Sequence, residues 1–170
     1  MRIRAAHEGD VGLLLELIGE LAEYERLADE AVGTDGLLRE HLFGERPAAE
    51  AAIAEAAGGE AGGEPVGFVL WYTTFSTFQC LPGVWVEDLF VRPEHRGGGT
   101  GQALLGHVAR VAVERGYGRL ELSALDWNEP ALAFYRSLGG RSKDEWKLQR
   151  FEGEALSALA ERDVQPPAAQ

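Results

Sequence analysis

Residues 84–116 read VWVEDLFVRPEHRGGGTGQALLGHVARVAVERG, and this stretch decides the fold. Val84 to Val91 is apolar and β-branched enough for a strand, which Pro93 stops. Arg96-Gly97-Gly98-Gly99-Thr100-Gly101 follows as a loop. Leu104, Leu105, Val108, Ala109, Val111 and Ala112 then recur as the apolar stripe of a helix that Gly116 closes. The loop therefore precedes a helix N-terminus, where backbone N–H groups lack intrahelical partners and the helix dipole favours anions. Glycine lets a pyrophosphate approach the backbone and adopts positive φ freely, so the loop reads as a phosphate cradle. A loop that merely turns the chain needs fewer than four glycines in five residues. No Lys-Ser/Thr pair follows the loop and its glycines miss the G-x-G-x-x-G spacing, so two common cradles are excluded.

Outward from this stretch, Arg2 to Ala6 reads as an edge strand and Asp10 as the N-cap of a helix running to about Arg26. Leu14, Leu17, Ile18, Leu21 and Tyr24 form its apolar stripe, with Glu16, Glu20, Glu23 and Glu25 on the polar side. Thr34 and Asp35 start a second helix through Phe43. Residues 49–57 fit strand or helix equally, and the glycine-rich run that follows, to Gly63, reads as a hairpin loop. Pro65 to Phe75 is a long strand, separated by a Pro82-Gly83 turn from Val84 to Val91, so the two pair antiparallel. Arg119 to Leu125 alternates as a strand, and Asn128 caps a helix with Pro130 in its first turn and Gly139-Gly140 at its end. A last strand is expected at Lys143 to Phe151 and a short helix from Glu152 to Arg162. Residues 1–162 are expected to form one domain and 163–170 a disordered tail. The alternation of strands and helices in the second half argues for an α/β sheet with ligand chemistry at strand ends.

Composition narrows the function. The 170 residues carry 16 Lys and Arg against 28 Asp and Glu, a formal charge of −12, which argues against a nucleic-acid partner and would attract a cation, although it also serves solubility. No apolar run is long enough to cross a membrane, and Met1-Arg2-Ile3-Arg4 leads into Glu8 and Asp10 without a signal-like core, so a cytoplasmic protein is expected. One cysteine, Cys80, excludes a disulfide framework, and His7, His41, His95 and His107 lack metal-ligand spacing, so no metal site is expected.

The run from Val86 to Val91, then Pro93-Glu94, then R-x-x-G-x-G at Arg96, Gly99 and Gly101, resembles the acetyl-CoA motif of the GNAT superfamily of N-acetyltransferases. Asp126-Trp127-Asn128-Glu129-Pro130, Phe134-Tyr135 and Leu21-Ala22-Glu23-Tyr24-Glu25 resemble its diamine branch, which includes spermidine/spermine and thialysine acetyltransferases. The resemblance covers roughly residues 2–151. It implies a mixed, mostly antiparallel central sheet flanked by helices, acetyl-CoA as cosubstrate, and a homodimer. It also implies a cofactor site of Leu89, Phe90 and Val91 along the strand, Arg96, Gly97, Gly98, Gly99, Thr100, Gly101 and Gln102 around the pyrophosphate, and Asn128 with Ala131 in the following helix. The family motif departs at residues 56–63 and at Phe78-Gln79-Cys80-Leu81, which match nothing in it.

Acetylating an amine needs a base, because an alkylammonium near pKa 10.4 is almost wholly charged at neutral pH. Glu87 matches the family position for that base, directly or through water, against the alternative of a solvated carboxylate. Adjacent strand residues point to opposite faces, so only one of Glu87 and Asp88 is expected in a given pocket, with Asp88 a candidate for the substrate's second cation or for the framework. Tyr135 is the candidate donor to the departing thiolate, against the alternative of a core tyrosine. Tyr24 and Glu25 match the family's amine-binding pair, with Glu121, Trp127 and Asp144 as further candidates. Cys80 lies in a turn without a His/Asp partner set, so direct attack by the amine is expected over an acyl-enzyme. Three readings stand: a di- or polyamine acetyltransferase, a thialysine-like amino-acid acetyltransferase that would need a cation for the carboxylate, and a non-catalytic acyl-CoA sensor.

Overall fold

The computed structural model describes residues 1–58 and 63–162. Two compact units divide the chain, Met1–Ser123 and Ala124–Gln170. The first unit holds a five-stranded sheet in the order β1-β2-β3-β4-β5, formed by β1 (Arg2–Ala5), β2 (Glu50–Glu55), β3 (Pro65–Ser76), β4 (Leu81–Val91) and β5 (Leu120–Leu122). All neighbours are antiparallel except β4 and β5. The sheet is thus mixed α/β and mostly antiparallel, as the resemblance implies.

Two apolar layers bury its faces. On one side α3 (Thr100–Glu114) seats Leu104, Val108 and Ala112 against Ala52, Ala54, Val69, Val84 and Val86. On the other, α1 (Val11–Glu25) and α2 (Asp35–Phe43) seat Leu14, Leu17, Leu21 and Leu42 against Ile53, Phe68, Leu70 and Phe90. Alternation in β2 decides the ambiguous segment: Ala52 and Ala54 face α3 while Ala51 and Ile53 face α1, the period of a strand buried on both faces. Arg92, just past β4, grips Glu20 of α1 and the Pro65 carbonyl at 3.0 Å, tying the helix to the end of the strand that matters for the site. Asp10 stands at the N-cap position of α1, but its carboxylate goes to Arg4 at 2.6 and 2.8 Å and to the His7 N–H at 2.8 Å rather than to the helix.

The β3–β4 hairpin is antiparallel as expected, but its turn lies earlier than Pro82-Gly83. Residues 77–80 make it, Cys80 taking a left-handed φ of 52° and the Ser76 hydroxyl accepting from Gln79 N–H. Pro82 and Gly83 sit inside β4, paired with Phe75 and Thr74. Gly83 is there for close approach: a Cβ would stand 3.0 Å from Arg119 Cγ and from Thr74 Oγ1.

The second unit holds α4 (Glu129–Ser137) and α5 (Gly153–Ala160). The Asn128 side chain caps α4 by accepting from the Ala131 N–H. The strand expected at Lys143–Phe151 is not formed. Within a unit whose described residues contain no strand, that segment has no edge to pair with, and Trp146 and Leu148 are left 71% and 74% exposed. The expected tail at 163–170 and the centre of the 56–63 loop lie outside the described residues.

Candidate active site

The chemistry gathers where β4 departs from regular pairing. Leu70 opposes Asp88 while Trp71 opposes Val86, so Glu87 is an extra residue, a β-bulge. The bulge resets the alternation: Val84 and Val86 pack toward α3 before it, and Leu89 and Val91 pack toward α3 after it. Trp85, Glu87, Asp88 and Phe90 are therefore left facing the α1 side, and the expectation that Glu87 and Asp88 point to opposite faces is corrected. The Trp85 indole N–H donates to Glu87 Oε2 at 2.9 Å, which holds the carboxylate on that face. β5 pairs with β4 only as far as Val86, so among the described residues of this unit the β5 side of Leu89–Val91 carries no strand partner.

The charges of two carboxylates, Glu87 and Glu25, reach a third, Asp88, on this face. Burial raises Glu25, at the last residue of α1. Asp88 is pushed up from its ordinary 3.8 to about 6, by burial first and then by the negative charges of Glu87 and Glu25. The Tyr72 phenol, cross-strand from Trp85, is raised by burial and by Glu87. Trp85 and Tyr72 were not singled out in the sequence, although Trp85 stands two residues before Glu87, the spacing of one strand face. Among the described residues no cluster has the arrangement of a metal site.

The raised Asp88 carboxyl has a measurable cost. Folded Asp88 binds its proton more tightly than unfolded Asp88, so stability is lost as pH rises from about 4 to about 6, by roughly 3 kcal/mol for two units. Asp88→Asn is expected to shift the urea midpoint upward at pH 7.5 and to leave it unchanged at pH 4. Wild-type and variant midpoints that agree at both pH values would contradict the part-buried, charge-crowded carboxyl.

Beyond β4 the chain turns through Pro93–His95 into the glycine loop. Gly97 and Gly99 take left-handed φ of 79° and 86°, and Gly99 is the N-cap of α3 without a side-chain cap. The Arg96 side chain turns back: its Nε–H donates to the Val91 carbonyl at 2.8 Å. Its guanidinium carbon stands 4.4 Å from the Tyr24 ring centroid and 5.8 Å from that of Phe90.

The model of the acetyltransferase (GNAT) family matches residues 20–139. The chain belongs to the GNAT acetyltransferase family. It is 42% identical to the thialysine N-epsilon-acetyltransferase of Bos taurus over 166 residues, covering 93% of this chain and 96% of the relative. It is 30% identical to the L-ornithine N5-acetyltransferase of Arabidopsis thaliana, covering 96% of this chain and 89% of the relative. Among solved structures it is similar to an integron cassette protein of V. cholerae, with TM-score 0.74 and 27% identity over 94% of this chain and 96% of that one. These similarities match the diamine branch, and the chain is an N-acetyltransferase whose donor is acetyl-CoA.

The loop of this acetyltransferase fits such a donor. A Cβ built on Gly97, Gly98 or Gly99 meets no atom within 4 Å, so the backbone borders open space that a pyrophosphate can occupy. Gly98 alone of the three lacks a positive φ, which makes Gly98→Ala a clean probe. The variant is expected to keep the thermal midpoint within about 2 °C and to weaken CoA about tenfold or more by crowding the cradle. Unchanged CoA affinity would move the pyrophosphate elsewhere. Thr100, Gly101 and Gln102 form the first turn of α3, and Phe90 is buried under α1 with only its backbone on the strand edge.

The remaining candidates are placed as follows. Glu121 on β5 opposes Trp85, and its carboxylate pairs with Arg119 at 2.7 Å, so it is already committed to a cation. In the second unit Asn128 is buried at the head of α4 with Ala131 in its first turn, and Trp127 is half exposed. Tyr135 lies on α4, its ring 5.2 Å from that of Phe134. Among the described residues no helix is long and apolar enough to cross a membrane.

Proposed function

We propose that the acetyltransferase acts on the primary amine of a small acceptor with a second cationic nitrogen, a di- or polyamine. The observation that carries this reading is the corner of Glu25, Glu87 and Asp88, where the charges acting on Asp88 are both negative and a cation would relieve them. Glu87, held by Trp85, takes the proton from the bound ammonium, directly or through one water. The neutral nitrogen then attacks the thioester carbonyl to form the C–N bond; as the tetrahedral adduct collapses the C–S bond breaks, Tyr135 supplies the proton to the departing thiolate, and the extra proton left on the nitrogen restores the phenol, giving the amide and neutral CoA thiol. Backbone N–H groups on the open edge of β4 are suited to the carbonyl oxygen as it gains charge.

A second reading, a diamino-acid acceptor, is favoured by the names of the relatives, which act on thialysine and on L-ornithine. The test is CoA release, with product mass, over putrescine, spermidine, spermine, thialysine, lysine and unrelated amines. Preferential turnover of the carboxylate-free amines supports the first reading, turnover confined to amino acids the second, and tight CoA binding without turnover neither. A homodimer is proposed from the resemblance, and light scattering showing a monomer at micromolar concentration would remove it.

A further inference from the structure

We propose that Arg96 is a positioning residue that couples the acetyl-CoA loop to the acceptor side, so that filling one strengthens binding at the other. This rests on the proposed amine reaction. Arg96 opens the glycine loop, yet its guanidinium lies over Tyr24, the residue before Glu25 in α1. The contact is bound at both ends. Nε–H donates to the Val91 carbonyl at 2.8 Å, which fixes the side chain against the strand carrying Glu87 and Asp88. The planar cation stacks on Tyr24, and Phe90 stands beneath it at 5.8 Å. Arg96 takes part in no ion pair among the described residues, so these contacts are what its charge is spent on.

Ordering the loop around a pyrophosphate fixes the Arg96 backbone, hence the guanidinium, hence the Tyr24 ring and the end of α1 that bears Glu25. The same chain runs in reverse when an amine settles against Glu25, since coupling between two binding sites is reciprocal. Tyr24 then serves the acceptor through Arg96, with one ring face already taken by that cation.

The experiment is calorimetric titration of CoA into the whole protein, with and without a saturating concentration of the best amine from the acceptor panel. In the wild type the amine is expected to tighten CoA about fivefold or more. Arg96→Ala and Tyr24→Leu should each reduce that gain to less than about twofold, the gain being the ratio of CoA affinities with and without amine within one variant, so that any contribution of the Arg96 charge to the cradle itself cancels. Tyr24→Phe keeps the ring and should keep the coupling, and the Arg96→Ala/Tyr24→Leu double variant should be no worse than either single one. Additive losses, or an Arg96→Ala protein that loses CoA affinity with coupling intact, would overturn the proposal. A wild type whose CoA affinity ignores an amine that it acetylates would overturn the coupling alone. A protein that acetylates no amine would overturn the reaction itself.

Discussion

Glu87→Gln is expected to lower kcat/KM for the amine at pH 7.5 by about 10² to 10³, the usual contribution of a positioned general base. The reason is numerical. With an amine near pKa 10.4, only about one molecule in a thousand is neutral at that pH, so unassisted attack draws on a very small population. Glutamine is nearly the same size and can still receive the Trp85 N–H, so the corner keeps its shape. The defect should shrink as pH rises toward 10, where the neutral amine no longer has to be made. CoA affinity should stay within about twofold of wild type, since Glu87 belongs to the strand and not to the cradle. A loss that is the same at every pH would assign Glu87 to binding instead of proton transfer.

Tyr135→Phe is expected to lower kcat by about 10² with little change in KM for the amine. The substitution removes one oxygen and keeps the ring that stands beside Phe134 at 5.2 Å. A phenol near 10 giving its proton to a thiolate near 8.5 moves uphill by about 1.5 units, roughly 2 kcal/mol, which the C–S bond cleavage under way can offset. The loss should therefore diminish with an acetyl thioester of a more acidic thiol, whose thiolate leaves without the proton. Retention of kcat within about twofold would return Tyr135 to a packing role.

Local chemistry was legible in the sequence wherever one residue type has one use. The strand, glycine loop and helix from Val84 to Gly116, the Thr34 and Asn128 caps and the stripe of α1 all appear where spacing places them. What depended on partners was not legible. Pro82-Gly83 reads as a turn because most such pairs are turns, yet here Gly83 is needed to let Arg119 and Thr74 approach. Lys143–Phe151 has the alternation of a strand, but a strand exists only against an edge, and its own unit offers none among the described residues. At the site, Glu87 and Asp88 could be named from the sequence, but their shared face could not. That face depends on a register slip against Leu70 and Trp71, and the slip is a property of the pair of strands. Arg96 is the same case in a side chain: its motif suggests a phosphate, and the fold turns it onto Tyr24.

The central claim is that the acidic corner receives a second positive charge on the acceptor. It is tested most directly by comparing kcat/KM for 1,4-diaminobutane with that for butylamine, which differs by the second amino group alone, on the wild type and on Asp88→Asn. The expected result is a preference for the diamine of about tenfold or more in the wild type, largely lost in the variant. Equal rates on the two amines, or a preference that Asp88→Asn leaves untouched, would contradict it.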